Sequence, residues 1–161
     1  MLTRLIKIRN LSPSAYVLRL ERKDFSFLPG QCVNLGVKGT GINREYSTYS
    51  GKDDPYLEFL IKDVSGGLVS SALRKLTIGT EVDMHGPYGS FTLDLEKINT
   101  SNYFFLGTGT GIAPYHSYIR SFPNLNYKVV IGIRYNSERY DQQDYEPSRT
   151  VYCVSREEGA E

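Results

Sequence analysis

The spacing of apolar residues changes character near residue 98 of this 161-residue chain. Before that point, apolar and polar residues alternate in short stretches, which is typical of antiparallel strands with one buried face. Clear examples are residues 16–20, 33–37, 56–62 and 81–84. After it, unbroken apolar runs at 103–106 and 128–133 flank a helical pattern at 112–121. That arrangement predicts a β-α-β unit with parallel strands.

We therefore predict two domains of different architecture. An antiparallel β-barrel is expected over residues 1–97, followed by a partial α/β domain with a Rossmann-like parallel sheet over residues 98–161. A third parallel strand is predicted at 150–154, after a polar, tyrosine-rich connection over 135–149. Three strands are few for a doubly wound sheet, so the second domain is expected to be incomplete.

Composition narrows the function classes. Hydrophobic residues make up 40% of the chain, and 19 Lys and Arg balance 18 Asp and Glu. This balance gives no indication of nucleic-acid or membrane binding. The N-terminus lacks the features of a signal peptide, which predicts a cytoplasmic protein. Cys32 and Cys153 lie far apart in apolar runs and are expected to be buried, reduced thiols.

The first candidate site is the tetrad Arg44-Glu45-Tyr46-Ser47 within a predicted strand. Strand side chains alternate, so Arg44 and Tyr46 share one face. The arginine fork can bind two diphosphate oxygens, and the tyrosine ring can stack on a flat heterocycle. Ser47 could donate a hydrogen bond to a ring nitrogen. Alone, the tetrad is better explained as an ordinary exposed arginine beside a half-buried tyrosine.

Two glycine-rich turns form the other candidates. The first, at 65–71, precedes a short helix indicated by apolar residues at 69, 72, 73 and 76, whose free N–H groups suit a phosphate. An ordinary turn capped by Ser65 is the alternative. The second, at 107–114, lies between an apolar strand and a helix, where open α/β sheets bind pyrophosphate. Its glycines at every second position differ from the G-x-G-x-x-G pattern.

These three motifs, in this order and with Gly86-Pro87-Tyr88-Gly89-Ser90-Phe91 between them, resemble the ferredoxin–NADP(H) reductase family, most closely its bacterial members. The resemblance extends from about Phe27 to the last residue. It implies an FAD-binding barrel followed by an α/β domain for the nicotinamide cofactor. It also implies a flavoenzyme that transfers hydride between NADPH and FAD, and single electrons to a ferredoxin- or flavodoxin-type carrier.

The resemblance also implies roles for individual residues. Arg44 would contact the FAD pyrophosphate, Tyr46 would pack on the isoalloxazine, and Ser47 would lie near its N5. The other cofactor residues it implies are Leu60, Ile61 and Lys62 along the flavin, Gly67, Leu68, Val69 and Ser70 at the FAD pyrophosphate, and Gly109, Thr110 and Gly111 at the nicotinamide dinucleotide. Thr110 would lie closest to the nicotinamide ring, so Tyr46, Ser47 and Thr110 are the residues expected nearest the chemistry.

The same resemblance places Ser155 and Arg156, with help from Arg134, at the adenosine 2′-phosphate. Arginine and a hydroxyl are suitable phosphate ligands, which favours NADPH while leaving NADH possible. The family's closing segment, which contains a Cys-Gly turn and the final strands, is absent, so a truncated chain is expected. Two alternatives therefore remain open: a flavin-containing electron carrier without its own nicotinamide site, and a barrel that binds neither cofactor.

Several other residues are expected to be structural. His85 and His116 have no accompanying carboxylate or cysteine pattern, and no metal site is predicted. Tyr135, Tyr140 and Tyr145 are expected to decorate a loop. The sequence gives no indication of oligomeric state.

Overall fold

The computed structural model describes residues 1–157, so the last four residues of the predicted second domain lie outside the described part. Its first sheet has six antiparallel strands, in the order β4-β3-β6-β1-β2-β5. They are β1 (Leu2–Ser12), β2 (Ala15–Glu21), β3 (Cys32–Val37), β4 (Asn43–Ser47), β5 (Tyr56–Lys62) and β6 (Glu81–Tyr88). Each alternating stretch of the sequence is thus a strand.

The six-stranded sheet curls into a barrel-like domain that is not closed. Strands β4 and β5 form its two edges and approach each other without pairing as a ladder. A hydrogen bond from the Tyr49 N–H to the Glu58 carbonyl, 2.8 Å long, joins one end of this gap. We call the gap between β4 and β5 the seam. The predicted antiparallel architecture is confirmed, and the correction is that the barrel stays open at the seam.

The second sheet contains three parallel strands in the order β7-β8-β9, as predicted. They are β7 (Tyr103–Thr108), β8 (Tyr127–Ile133) and β9 (Thr150–Val154), and the helices are α1 (Ser70–Arg74) and α2 (Ala113–Ser121). A 3-10 turn at Gly109–Ile112 leads into α2, and three further 3-10 turns connect β8 to β9. Among residues 1–157, no helix is long and apolar enough to cross a bilayer.

One hydrophobic core is shared by the two sheets, and a second fills the barrel interior. In β2, the four consecutive residues Ala15, Tyr16, Val17 and Leu18 are all buried. Tyr16 and Leu18 belong to the barrel interior, whereas Ala15 and Val17 belong to a cluster with Phe105 and Tyr118 of the α/β part. Successive strand residues point to opposite faces, so burial on both faces means that β2 lies between two packed layers.

Polar contacts surround this shared core. The Arg9 guanidinium on β1 donates to both carboxylate oxygens of Asp141, at 2.8 and 2.9 Å. The Tyr49 hydroxyl donates to the same carboxylate at 2.9 Å. Ser12 and Tyr140 place their hydroxyl oxygens 3.2 Å apart. All of these contacts join the barrel to the connection between β8 and β9.

Two expectations about burial need correction. Tyr140 and Tyr145 are 5% and 3% exposed, because the connection between β8 and β9 packs onto the barrel instead of projecting as a loop. Cys153 is exposed and Cys32 is half-buried, so neither thiol is the buried group that its apolar neighbours suggested, although both are free. His116 is buried, with its ring nitrogens 2.7 Å from the Tyr49 carbonyl and 2.9 Å from Asp144, as suits a structural residue.

The Arg9–Asp141 contact predicts an acid-sensitive stability. Burial alone would raise the pKa of Asp141, but hydrogen bonds from Arg9 and Tyr49 and the Arg9 charge outweigh it and lower the pKa from 3.8 to about 2. Because the folded-state pKa is the lower one, this stabilisation is present above about pH 4 and is lost as the pH falls through about 2. The change corresponds to at most about 2 kcal/mol.

The measurement is the free energy of unfolding in urea, compared between about pH 6 and about pH 2.5. Asp141→Asn is expected to lose less stability on acidification than the unchanged protein. Asp53→Asn, which removes an exposed carboxylate on the barrel, is the matched control and should behave like the unchanged protein. Equal acid sensitivity of Asp141→Asn and the unchanged protein would contradict the assignment.

Candidate functional site

The tetrad lies on the edge strand β4, where the seam leaves one side of the strand without a paired neighbour among residues 1–157. Leu35 and Val33 of β3 face Arg44 and Tyr46 in the ladder, so the two tetrad side chains share a face as predicted. Arg44 is exposed and Tyr46 is half-buried. Burial raises the pKa of Tyr46, and the Arg44 charge partly offsets the rise.

The first glycine turn is shaped by its own packing. A Cβ at Gly67 would lie 2.8 Å from the Ser70 Oγ and 2.9 Å from the Val64 carbonyl oxygen, so only glycine fits there. At Gly66 the backbone is left-handed, with φ +74°, and a Cβ would contact nothing within 4 Å. The Val64 N–H donates to the Ser70 Oγ at 3.1 Å, which closes the turn.

The N-terminus of α1 is open to a ligand. Its N-cap residue is Val69, and no side chain caps this end of the helix, so the suggestion that Ser65 caps it is wrong. Leu68, one residue earlier, is 70% exposed. Uncapped N–H groups beside a glycine turn are suitable donors to a phosphate.

Tyr16 lies beside the first glycine turn. Its hydroxyl donates to the Ser70 carbonyl at 2.6 Å, in a buried position on β2. Burial raises the pKa of Tyr16. Tyr46 packs against the barrel-interior cluster that contains Tyr16 and Val69, so the tetrad and the turn border one cluster although they are separated in the sequence.

Strand β5 forms the other side of the seam. Leu60 and Ile61 are buried, Leu60 in the shared core and Ile61 in the barrel interior, while Lys62 is exposed. Within residues 1–157, β5 forms a ladder only with β2; on its other edge the Glu58 peptide is bonded to Tyr49 and Ser50, and the edge nearer Lys62 is open to a ligand. Because the side chains of Leu60 and Ile61 are buried, only their backbone could take part in such a contact.

A cleft of about 470 Å³ separates the barrel from the α/β part. Its volume lies within the range of small-molecule sites. Its lining includes Ser14, Ala15 and Lys62 from the barrel and Thr108, Gly109, Thr110, Arg134, Glu138, Tyr140, Cys153 and Ser155 from the α/β part. Five predicted site residues meet here, namely Lys62, Gly109, Thr110, Arg134 and Ser155, whereas Gly111 and Arg156 do not line this cleft.

The second glycine turn leaves space beside its backbone. A Cβ at Gly109 or at Gly111 would contact no protein atom within 4 Å. Gly109 has a left-handed φ of +51°, which favours glycine, but space alone does not require glycine at position 111. The open space beside this turn suits the close approach of a dinucleotide backbone.

The ends of β8 and β9 bring two cations together. The Ser155 N–H donates to the Ile133 carbonyl and the Arg156 N–H donates to the Arg134 carbonyl, each at 3.0 Å. The nearby Glu138 accepts from the Arg134 N–H at 2.8 Å. Within residues 1–157, neither the Arg134 nor the Arg156 guanidinium forms an ion pair with a carboxylate, which leaves both available to a phosphate.

Sequence reasoning missed the part of the cleft formed by the connection between β8 and β9. Tyr140 lines the cleft and its hydroxyl lies 3.2 Å from the Ser12 Oγ. The available signal was the number of tyrosines in an otherwise polar stretch, since large rings that must be buried imply packing against another element.

Comparison with known proteins agrees with this geometry. The family model for the oxidoreductase FAD-binding domain matches residues 3–93. The toluate 1,2-dioxygenase electron transfer component of Pseudomonas putida is 39% identical over 112 residues, which cover 67% of this chain and 32% of that protein. Ferredoxin–NADP reductase B of Sorangium cellulosum is 37% identical over 124 residues, which cover 73% of this chain and 50% of that protein.

The fold also matches a solved structure, the ferredoxin–NADP⁺ reductase of Plasmodium falciparum. The TM-score is 0.76 at 24% identity, and the match covers 96% of this chain and 69% of that one. The chain spans between about a third and a half of the length of the two curated relatives. Because the family model covers more than half of its residues, the chain belongs to the oxidoreductase FAD-binding domain family, and its resemblance to the ferredoxin–NADP(H) reductases is confirmed.

Proposed function

We propose that this chain is an FAD-dependent oxidoreductase that transfers hydride and electrons between NADPH and a ferredoxin- or flavodoxin-type carrier protein. One observation carries the proposal: Lys62, at the end of the strand that forms the seam, faces Gly109 and Thr110 across a single cleft. A flavin along the seam and a nicotinamide on the second glycine turn would therefore meet in the same cleft. Direct transfer between two cofactors requires such closeness.

On the barrel side, we assign the FAD pyrophosphate to Arg44 and to the turn of Gly67, Leu68, Val69 and Ser70. Tyr46 would stack on the isoalloxazine, and Ser47 would lie beside its N5. FAD, when bound, supplies the hydride and single-electron chemistry. The chain's own residues orient the ring through the half-buried Tyr46 and through the free peptide edge of β5, and they neutralise phosphate charge through Arg44.

On the α/β side, we assign the nicotinamide dinucleotide to Gly109, Thr110 and Gly111, with Thr110 nearest the ring. We further propose that Arg134, Ser155 and Arg156 bind the 2′-phosphate, so that NADPH is preferred over NADH. The support is that a hydrogen bond joins the backbones of Arg134 and Arg156 and that, within residues 1–157, neither guanidinium pairs with a carboxylate. A planar, permanently charged fork binds phosphate oxygens in a bidentate manner.

The relatives support an electron carrier as the second substrate. One is named as the electron transfer component of a dioxygenase and the other as a ferredoxin–NADP reductase. We infer by analogy that a small redox protein accepts electrons from the flavin of this chain. The competing proposal is a flavin-containing carrier without a competent nicotinamide site, and reduction by NADPH separates the two.

Anaerobic mixing with NADPH is expected to bleach the flavin absorption of the FAD-loaded protein. NADH at the same concentration should bleach it more slowly, because it lacks the phosphate that we assign to Arg134 and Arg156. Dithionite serves as the control, since it reduces a bound flavin without a nucleotide site. Bleaching by dithionite but by neither nucleotide would contradict the reductase proposal and support the flavin-containing carrier.

Arg44→Ala is expected to weaken FAD binding by roughly 10- to 100-fold, the loss of one charge-assisted phosphate contact. The measurement is the dissociation constant for FAD, obtained from flavin fluorescence during titration of the protein stripped of cofactor. Arg4→Ala removes an exposed arginine from β1, away from the seam, and should leave the constant unchanged. Equal FAD affinity for Arg44→Ala and the unchanged protein would remove Arg44 from the site.

A further inference from the structure

One wall of the cleft depends on contacts with the barrel for its position. The connection between β8 and β9 contains three short 3-10 turns and no α-helix that would give it rigidity of its own. Arg134, Glu138 and Tyr140 of this connection line the cleft. We call residues 134–140 the cleft wall. The barrel binds Tyr140 through one hydroxyl contact with Ser12, and it binds the residue that directly follows the wall, Asp141, through a charged pair.

Asp141 is bound from two directions by barrel residues. Arg9 forms a bidentate pair with it, through hydrogen bonds of 2.8 and 2.9 Å, and the Tyr49 hydroxyl donates a third at 2.9 Å. The side chains of Asp141 and Arg9 are only 9% and 26% exposed. A bidentate arginine–carboxylate pair fixes orientation as well as distance, and shielding from water strengthens it.

The backbone at Asp141 carries an independent indication. Its φ of +46° places it in the left-handed region, which residues other than glycine, asparagine and aspartate rarely adopt. Such a conformation persists only where surrounding contacts determine it, and it is concentrated at functional segments. The three hydrogen bonds to the carboxylate are such contacts.

A second set of contacts holds the following turn. His116 lies between the Tyr49 carbonyl and the Asp144 carboxylate and stacks on the Tyr49 ring at 3.7 Å. Arg120 on α2 pairs with Asp54 of the barrel at 2.9 Å. The far side of the connection is therefore anchored separately, and the Asp141 contact, together with the Ser12–Tyr140 hydroxyl contact of 3.2 Å, anchors the end next to the cleft wall.

We propose that Asp141 is a positioning residue, whose ion pair with Arg9 fixes the cleft wall against the barrel and thereby sets the width of the nucleotide cleft. Asp141 does not line the cleft, so it acts through Tyr140 and the rest of the wall. The effect on nucleotide binding rests on the proposed function. The effect on the wall itself does not.

Asp141→Asn tests the proposal, since asparagine keeps the size, the tolerance of a left-handed φ and an acceptor for the Tyr49 hydroxyl, but loses the charge. Amide hydrogen exchange in 134–140 is expected to accelerate about tenfold, from the loss of one charge-assisted contact. The apparent dissociation constant of NADPH, from the concentration dependence of flavin bleaching in stopped flow, should rise about tenfold. The dissociation constant for FAD should stay unchanged.

Arg9→Met removes the other partner of the ion pair. The double variant with Asp141→Asn should show no faster exchange in 134–140 and no weaker NADPH binding than either single variant, because each substitution removes the same contact. Arg19→Met is the matched control. It removes an ion pair of similar exposure within the barrel, Arg19–Glu58 at 2.9 Å. Glu58 also lies 3.7 Å from the Arg9 Nε, but the variant leaves the Arg9–Asp141 pair in place. Exchange in 134–140 and NADPH binding should be unaffected by this change.

Two results would overturn the proposal. One is exchange in 134–140 that is unchanged by Asp141→Asn, or accelerated equally by Arg19→Met. The other is accelerated exchange with unchanged NADPH binding, which would mean that the wall loosens without consequence for the cleft. If NADPH fails to bleach the flavin of the unchanged protein, the proposed function fails instead, and hydrogen exchange still decides whether Asp141 fixes the wall.

Discussion

The arrangement of this molecule depends on the packing of β2 and β5 between two layers. Val17 and Leu60 face the α/β part, while their neighbours Leu18 and Ile61 face the barrel interior. Each fully buried aliphatic side chain contributes about 1.5–3 kcal/mol, so this double-sided burial is the main force joining the two sheets. Since β5 also forms the seam, the same packing places the open end of its edge at the same cleft as the glycine turn of the parallel sheet.

Polar contacts add directional restraints to the apolar packing of the two sheets. Hydrophobic burial is not directional, so it brings the sheets together without fixing the position of the connection between β8 and β9. The directional contacts at Asp141, His116 and Tyr140 supply that information, and of these residues Tyr140 lines the cleft itself. Apolar packing thus sets how closely the seam and the second glycine turn approach, while paired charges and hydroxyls orient the connection that forms one side of the cleft.

Much of the fold could be predicted because apolar periodicity reports local exposure. The alternation at 33–37 and the unbroken run at 128–133 correctly predict an antiparallel strand and a parallel one. The tetrad and the first glycine turn are each uninformative alone, since their significance depends on the barrel-interior cluster that both of them border. Interpreting 56–62 as simple alternation overlooked the consecutive apolar residues Phe59, Leu60 and Ile61, the signal that a second layer covers this strand.

Contacts between distant segments could not be predicted from local pattern. Nothing in the neighbours of Cys153 distinguishes an outward position on β9 from a buried one, and the burial of Tyr145 depends on a connection folding back over the barrel. The central claim is that the open seam binds FAD. Protein purified in the presence of FAD and then desalted is predicted to retain one FAD per chain, identified by its absorption and by the mass of the released cofactor. Colourless protein that takes up no FAD on titration would contradict the account.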